Sequence, residues 1–438
     1  MKNHPSFDDI VSHLEEVELT TVHGRITEIV GMLIKAIVPQ VKMGDICLIK
    51  RKGAPLISEV VGFTKEEVFL SPLGTMENIG PSSEVIPTKM PFHVKVGEKL
   101  LGRILNGLGE PIDLDEKPPL DLKQERPVTA PPPEALKRSL IAEPISVGIR
   151  AIDGPLTCGE GQRVGIFAGS GVGKSTLLGM IARYAVADIN VIVLIGERGR
   201  EVREFIRNDL GEEGLKRSVV IVSTSDQAAG VRINAAMVGT AIAEYFREKG
   251  KSVILMMDSI TRYARALREV GLAAGEPPAR AGFTPSVFAT LPKLLERSGN
   301  SEKGSITAFY TILVEGDDLN EPISDEVRSI LDGHIVLSNE LAQKYHYPAI
   351  DILASISRVM PAIIDEKHLK QAGKIREVLA NYKKNELLIR IGEYKPGSDK
   401  AADFAIRYID KVNQFLKQKV NEKSTFKQTM DALMKLFT

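Results

Sequence analysis

The sequence contains only two cysteines and has no net charge, and each of these features excludes a class of protein. Cys47 and Cys158 are too few for a disulfide framework, and no Cys/His spacing matches a zinc site. Because 57 Lys and Arg residues balance 57 Asp and Glu residues, a surface built throughout for nucleic acid or anionic lipid is excluded. No apolar run approaches the roughly 18 residues needed to span a bilayer, and the polar start MKNHPSFDDIV does not resemble a secretory signal peptide. We therefore expect a soluble, reduced, cytoplasmic protein.

The 438 residues are too many for one domain, and their patterning predicts four consecutive parts. Residues 6–17 place apolar side chains at helical spacing opposite acidic ones. This pattern predicts an amphipathic helix within residues 1–21, which either packs on its own domain or docks a partner. Residues 22–90 contain short β-rich runs separated by Gly, Pro and Asp, which is typical of a small β-barrel.

Residues 91–365 alternate strand and helix signals, and their strands are nearly continuous apolar runs such as INVIVLIG and SVILMMD. Such runs predict parallel strands covered by helices on both faces, so the fold class is α/β. Residues 111–144 hold 8 of the 24 prolines and predict an extended connector. Residues 366–438 show only helical periodicity and predict an all-α domain. This domain has 16 Lys and Arg against 9 Asp and Glu, a net charge of +7. The charge indicates either a solvated helical surface or a basic face that binds an acidic partner.

The strongest motif is AGSGVGKST at residues 168–176, which follows the strand RVGIFA and opens the helical run TLLGMIARYA. This is the context of a Walker A loop, whose backbone N–H groups and following helix dipole bind phosphate. Lys174 is expected to reach the β- and γ-phosphates, and the Ser175 hydroxyl to bind Mg²⁺. Ala168 stands where the motif usually begins with glycine, and we interpret it as a tolerated variant. The predicted nucleotide-binding loop consists of Gly169, Ser170, Gly171, Val172, Gly173, Lys174, Ser175 and Thr176.

Two carboxylates follow other buried strands of the predicted sheet. Asp258 ends SVILMMD, where a Walker B carboxylate holds magnesium directly or through water. Glu197 follows INVIVLIG, where a carboxylate can polarise the water that attacks the γ-phosphate. Arg198 is adjacent and is expected to stabilise the developing charge. The alternative is an exposed ion pair at the start of a charged helix.

With these residues in place, the chain resembles the ATPases of type III protein secretion and bacterial flagellar export, a family similar to the catalytic β subunit of F-type ATP synthase. The resemblance runs from about residue 22 to about residue 420 and includes IGERGREVREF, ILMMDSITRYARALREV, PPARAGFTPSVFATLPKLLERSG and YPAIDILASISRV. It implies a RecA-like P-loop NTPase core between the β-barrel and the helical domain. It also implies a homohexameric ring that hydrolyses ATP, with Mg²⁺, at sites between neighbouring subunits.

The resemblance further implies roles for three residues outside the loop. Arg358 in SISRVMP corresponds to the arginine finger supplied to the adjoining subunit's γ-phosphate, although as a single arginine it could equally form a salt bridge at the core edge. Arg262 is expected near the γ-phosphate. Tyr347 is expected to stack on the adenine ring, although a tyrosine before proline often only packs.

The resemblance also implies partners. The Gly- and Pro-rich loop at residues 273–286 would line the central opening of the ring and contact a coiled-coil stalk protein. The basic helical domain would face the export gate, the N-terminal helix would bind a stator-like regulatory protein, and chaperone–substrate complexes would be released by ATP hydrolysis. The expected location is the cytoplasm, peripheral to the inner membrane through the export apparatus.

Three alternative functions compete with export. A catalytic subunit of a rotary F- or V-type ATPase shares the chemistry, but GERGREV, PPARAGFTPSVFATLP and the absence of an acidic helical-domain loop favour export. A hexameric nucleic-acid translocase needs aromatic stacking platforms and a basic groove. Residues 22–90 offer only Phe63 and Phe69, with 8 Lys and Arg against 7 Asp and Glu, so no nucleic-acid partner is expected. A non-catalytic ring subunit is disfavoured because Lys174 and Glu197 are both present.

Overall fold

The computed structural model describes residues 22–437, whose internal contacts divide them into two compact units between Phe92 and His93. The first unit is a closed six-stranded barrel in the order β1-β2-β5-β4-β3-β6. Alternate side chains, such as Ile34, Ile49 and Leu70, fill its interior and are fully buried. The predicted helix within residues 1–21 lies outside the described residues. The barrel strands are β1 (Gly24–Val30), β2 (Leu33–Ile37), β3 (Asp45–Ile49), β4 (Leu56–Phe63), β5 (Val68–Pro72) and β6 (Glu84–Pro91).

The second unit contains a large sheet together with two small two-stranded sheets, β7-β9 and β10-β11. The connector predicted at residues 111–144 therefore contains β9 and the first residue of β10, and both strands pair outside the large sheet. The strands are β7 (His93–Val96), β8 (Ile104–Asn106), β9 (Gln124–Pro127), β10 (Pro144–Ile145), β11 (Cys158–Gly159), β12 (Arg163–Ala168), β13 (Ile189–Glu197), β14 (Ser218–Thr224), β15 (Ser252–Asp258), β16 (Gly299–Asn300), β17 (Ser305–Leu313), β18 (Gly333–Leu337) and β19 (Ile350–Ser357).

The main path of the large sheet runs β19-β18-β12-β17-β15-β13-β14-β8, and β16 pairs with β17 beside this path. All neighbours on the path are parallel except β18 and β19, which are antiparallel. Every residue of β13 is buried, as expected for a parallel strand covered on both faces. Because parallel strands end at the same edge, the residues after β12, β13, β15 and β17 are brought together.

Helices cover both faces of the sheet, and the last three form the C-terminal helical region. The helices are α1 (Arg150–Asp153), α2 (Lys174–Tyr184), α3 (Gly199–Glu204), α4 (Gly211–Lys216), α5 (Ala229–Glu248), α6 (Ile260–Ala273), α7 (Pro285–Leu295), α8 (Pro322–Ile330), α9 (Asn339–Gln343), α10 (Met360–Ile363), α11 (Glu366–Arg390), α12 (Lys400–Leu416) and α13 (Phe426–Lys435). A π-helical segment (Phe205–Leu210) lies between α3 and α4, and 3₁₀ turns occupy Glu98–Leu100, Ala135–Lys137, Arg280–Gly282 and Glu315–Asp317.

The helical region is held by caps and by one apolar stripe. Asp365 caps α11, Asp399 caps α12, and Thr425 forms a capping box with Gln428 at α13. The apolar stripe of α12 is buried from Ala405 to Leu416 and joins the same apolar core as the sheet. The predicted α/β fold class, with a β-barrel before it and helices after it, is confirmed. The exact boundary between an ATPase core and a helical domain near residue 365 stays a prediction, because both belong to one compact unit.

Within residues 22–437, no helix combines the length and the apolar character that crossing a bilayer requires.

Candidate active site

The predicted phosphate loop lies between the end of β12 and the start of α2. Gly171 and Gly173 have φ angles of 80° and 94°, which L side chains rarely adopt, and they let the backbone curl in front of the helix N-terminus. Ala168 is the last residue of β12 and is buried in the apolar core. Its methyl group therefore packs as part of the strand, which explains why alanine is accepted at this position.

Lys174 pairs with the two carboxylates at this edge of the sheet. Its Nζ lies 2.5 Å from Oδ1 of Asp258 and 3.6 Å from Oε1 of Glu197. Both carboxylates are buried, with residue exposures of 3% for Asp258 and 8% for Glu197. The structure thus brings the predicted Walker A lysine, the Walker B aspartate and the candidate base into one cluster.

Neighbouring strands and helices orient this cluster. Thr311, on β17, donates a hydrogen bond of 2.7 Å to Oδ1 of Asp258. Arg262 lies in the first turn of α6, which Ser259 caps by accepting from the Arg262 N–H at 3.3 Å. The guanidinium of Arg262 approaches Oε2 of Glu197 to 3.4 Å. Arg262 therefore lies beside the candidate base, and its position near the γ-phosphate stays a prediction.

The surroundings of Glu197 raise the pKa of its carboxyl group. Burial, together with the negative charge of Asp258, raises its pKa to about 7, although Lys174 opposes the shift. A hydrogen bond to Glu201 also favours the protonated form, whereas Arg262 disfavours it. Oε1 of Glu197 is buried and accepts no hydrogen bond from any residue that the structure describes. This oxygen is therefore available to a water molecule or another donor.

The oxygen ligands present fit a magnesium ion that arrives with a nucleotide. Among residues 22–437 no group of three or more His, Cys, Asp or Glu side chains could hold a metal by itself. Mg²⁺ commonly takes only one or two protein oxygens and completes its shell with phosphate and water. The exposed hydroxyl of Ser175, in the first turn of α2, and the carboxylate of Asp258 supply that kind of ligand.

Two predicted catalytic arginines are not part of this cluster. The side chain of Arg198 is 79% exposed and pairs with Glu201 at 3.8 Å. Arg358 is also exposed, and its guanidinium donates to the Arg328 carbonyl at 3.3 Å. Arg358 directly follows Ser357, the last residue of β19. Ser357 pairs with Gly333, and Gly333 pairs with Val164 near the start of β12. Arg358 therefore lies level with the start of β12, whereas the phosphate loop follows the end of β12.

A cavity of about 350 Å³ adjoins the phosphate loop and could receive a nucleobase. Tyr347 lies on its wall, 41% exposed, and a Cβ atom on Gly173 would be 3.7 Å from the Tyr347 ring. The structure therefore places Tyr347 beside the loop. The lining is Gly171, Val172, Gly173, Thr176, Leu177, Met180, Leu337, Tyr347, Pro348, Ala349, Gln418 and Val420.

Sequence reasoning missed Thr311, Gln418 and Val420. Thr311 is a polar residue near the end of the largely apolar run ITAFYTILVE, so a polar side chain near the end of a buried strand was an available signal. Gln418 and Val420 follow a helix far from any motif. Nothing in the local sequence indicates that they reach the loop.

Comparison with known proteins identifies the family. Residues 148–357 match the ATP synthase alpha/beta family, nucleotide-binding domain, and residues 364–435 match the T3SS EscN ATPase C-terminal domain. The flagellum-specific ATP synthase of Bacillus subtilis (strain 168) is 51% identical over 98% of this chain and 98% of that protein. The type 3 secretion system ATPase of Xanthomonas euvesicatoria is 51% identical over 95% of this chain and 96% of that protein.

The chain belongs to the family of type III secretion and flagellar export ATPases. The structure of the assembled ATPase EscN from enteropathogenic E. coli matches it with a TM-score of 0.90 and 50% identity, over 95% of this chain and 100% of that one. A second structure, of EscN with its central stalk EscO, gives a TM-score of 0.87 at 49% identity, over 95% of this chain and 100% of that one. The chain is therefore a nucleotide-hydrolysing enzyme with a RecA-like core. A function in protein export is favoured over that of a catalytic subunit of a rotary ATPase.

Replacing the cluster's lysine should inactivate this ATPase. Lys174→Ala removes the cation for the β- and γ-phosphates and the countercharge beside Asp258, while Arg262 still pairs with Glu197. We expect kcat/KM for ATP to fall about a hundredfold or more, with weaker nucleotide binding. Phosphate release and equilibrium binding of a fluorescent ATP analogue measure both effects. Lys216→Ala, which removes an exposed lysine paired with Glu213, is the control. Normal turnover by Lys174→Ala would exclude Lys174 from the mechanism.

Proposed function

We propose that this ATPase forms a homohexameric ring that hydrolyses Mg²⁺-ATP to release chaperones from export substrates and to drive those substrates into a type III secretion or flagellar export channel. The buried cluster of Lys174, Asp258 and Glu197 beside a phosphate loop carries the proposal for hydrolysis. The relatives named above, which match nearly the whole chain, support the export role.

In the proposed mechanism, the N–H groups of residues 169–175 and Lys174 bind the triphosphate. Ser175 and Asp258 would hold Mg²⁺, and the ion would supply positive charge that offsets the charge of the phosphates. Glu197 in its ionised form accepts a hydrogen bond from the attacking water and takes its proton. Arg262 stays beside Glu197 and the γ-phosphate, and Tyr347 packs against the base. Arg198 keeps its predicted role only if its exposed side chain turns inward on assembly.

Arg358 supports a site shared between subunits. Ser357 is level with Val164, whereas the phosphate loop follows Ala168, so Arg358 is displaced about 13 Å along the strand direction from the start of the loop. A guanidinium at this edge does not serve the loop of its own chain. In a ring, the same edge can face the loop of the next subunit, where an arginine finger stabilises the transition state.

The proposed partners follow from the exposed parts of the chain and from EscN. EscN binds its central stalk EscO, and we propose that the loop at residues 273–286 contacts a corresponding coiled-coil stalk. Residues 277–282 of this loop are exposed, as such a contact requires. The basic helical region is proposed to face the export gate, which places the ring in the cytoplasm at the inner membrane. The stator-like protein is proposed to bind residues 1–21.

Neither alternative motor is favoured by the structure. A rotary ATP synthase subunit shares the nucleotide-binding domain, but residues 364–435 match the EscN C-terminal domain. A nucleic-acid translocase would need stacking platforms on the barrel. Phe63 is 60% exposed, and the barrel offers too few aromatic rings to bind successive bases.

An experiment in cells that encode this chain can distinguish a role in export from a role in ATP synthesis. Replacing the chain by its Lys174→Ala variant should abolish secretion of export substrates, because the motor binds and hydrolyses ATP poorly. ATP synthesis by inverted membrane vesicles should be unchanged. Proteins in the culture medium and the rate of ATP synthesis are the two readouts. Normal secretion, or lost ATP synthesis, would contradict the export function.

Mixing two inactive variants tests the shared site. Lys174→Ala lacks a working loop but keeps Arg358, whereas Arg358→Ala lacks the finger but keeps the loop. Mixed rings should regain hydrolysis at interfaces where an intact loop meets an intact finger. Each variant alone should stay inactive at every protein concentration. If Arg358 acts on its own chain's nucleotide, mixing restores nothing.

The decrease of kcat/KM at low pH should reflect the protonation of Glu197. Because its pKa is raised to about 7, the carboxylate is protonated below that pH and cannot act as a base, so kcat/KM should fall as the pH is lowered through 7. Glu201→Gln removes the carboxylate whose hydrogen bond favours protonated Glu197, so the limb should move to lower pH. Glu204→Gln, which removes an exposed partner of Arg200 on the same helix, should leave it in place. An identical limb in all three proteins would assign the titration to another group.

A further inference from the structure

A buried glutamine joins three segments of the chain around the base cavity. Gln418 is 5% exposed and follows α12 by two residues. Its Oε1 accepts from the Arg150 N–H at 2.8 Å, and its Nε2 donates to the carbonyls of Gly148 at 2.8 Å and Glu422 at 2.6 Å. Its backbone N–H donates to the Tyr347 carbonyl at 2.9 Å. One residue thus ties the helical region to the segment before α1 and to the candidate base-stacking tyrosine.

The segments that Gln418 joins are themselves anchored. Asp153 accepts hydrogen bonds from the N–H groups of Val147 at 2.9 Å and Gly148 at 3.1 Å, which fixes the carbonyl that receives the Gln418 amide. Asp153 is fully buried, so this anchor is screened from water. Gln418 therefore binds to a rigid support.

Arg150 holds the end of α12 in the same place. The last carbonyls of a helix have no partner within the helix. The Arg150 guanidinium donates to the Phe415 carbonyl at 2.9 Å and to the Lys417 carbonyl at 2.5 Å, and it also pairs with Glu422. The chain therefore leaves α12 in one defined direction, and this direction brings Val420 to the cavity wall.

The polar groups of the Gln418 side chain are engaged by the protein rather than directed at a base. Both hydrogens of its amide nitrogen are donated, and its oxygen accepts from the Arg150 N–H. The Tyr347 and Val420 carbonyls are also occupied, the former by Gln418 and the latter by Tyr184 at 2.9 Å. These groups shape the cavity without reading the edge of the base.

We propose that Gln418, supported by Arg150, is a positioning residue that sets the width of the base cavity by fixing Tyr347 on one side and Val420 on the other. The proposal rests on the proposed nucleotide site. It makes base affinity depend on the end of α12, so a displacement of the helical region changes how tightly ATP is held without moving the phosphate loop.

The test separates the base from the phosphates. In Gln418→Ala, the KM for ATP should rise about tenfold while kcat stays within about twofold, because the catalytic cluster is untouched. The inhibition constant of inorganic tripolyphosphate, which has no base, should not change. GTP and ATP should be affected equally, since Gln418 does not contact the base edge. Gln414→Ala, an exposed glutamine in the last turn of the same helix, should match the wild type.

Gln418→Asn gives a second variant in case the alanine protein does not fold. Its shorter amide cannot span Arg150 and Gly148 together, so the same KM increase is expected. An unchanged KM for ATP, an equal loss of tripolyphosphate affinity, or a changed ratio of ATP to GTP would each overturn the positioning role. A wild-type protein that does not hydrolyse ATP would instead overturn the proposed function, so the two failures are distinguishable.

Discussion

The buried ion cluster at Lys174 is the constraint on which the rest of the site depends. Two carboxylates at the end of neighbouring strands would repel each other in a buried position, and leaving one unpaired costs about 3–5 kcal/mol. Lys174 compensates both, lying 2.5 Å from Asp258 and 3.6 Å from Glu197. The lysine therefore holds the two carboxylates together. In the proposed mechanism, Lys174 would leave Asp258 for the phosphates of a bound triphosphate. Asp258 would then help to hold Mg²⁺, which would supply positive charge in place of the lysine.

The sheet explains why the proposed site needs two subunits and three parts of each chain. The parallel strands end together and carry the loop, Asp258 and Glu197 to one edge, whereas the antiparallel β19 returns Arg358 to the other edge. In the proposed site, the hydrolytic cluster lies at the ends of the parallel strands. The base cavity lies beside the phosphate loop and also takes Gln418 and Val420 from the segment after α12. Movements of the helical region can therefore alter nucleotide affinity while the hydrolytic cluster remains intact.

Sequence reasoning could predict the parts of the site that combine a local motif with a strand end. Glycine spacing marks the loop that carries Lys174, and apolar runs mark the parallel strands that end at Asp258 and Glu197. Because parallel strands end at the same edge of the sheet, the three residues could be expected to meet. The barrel could be predicted from its short β-rich runs, and the helical region from the helical spacing of its apolar residues. Arg198 shows the limit of this reasoning, since its neighbour Glu197 points inward while Arg198 itself is exposed. Gln418 could not be predicted, because its partners Gly148 and Arg150 are about 270 residues away and only tertiary packing brings them together.

The most direct test of the account is a structure with magnesium and a non-hydrolysable ATP analogue. The account predicts a triphosphate within the curl of residues 169–175, with the Lys174 ammonium moved from Asp258 to the β- and γ-phosphates and a water molecule between Glu197 and the γ-phosphate. A nucleotide bound elsewhere, or a Lys174 that keeps its contact with Asp258 while the triphosphate is bound, would contradict it.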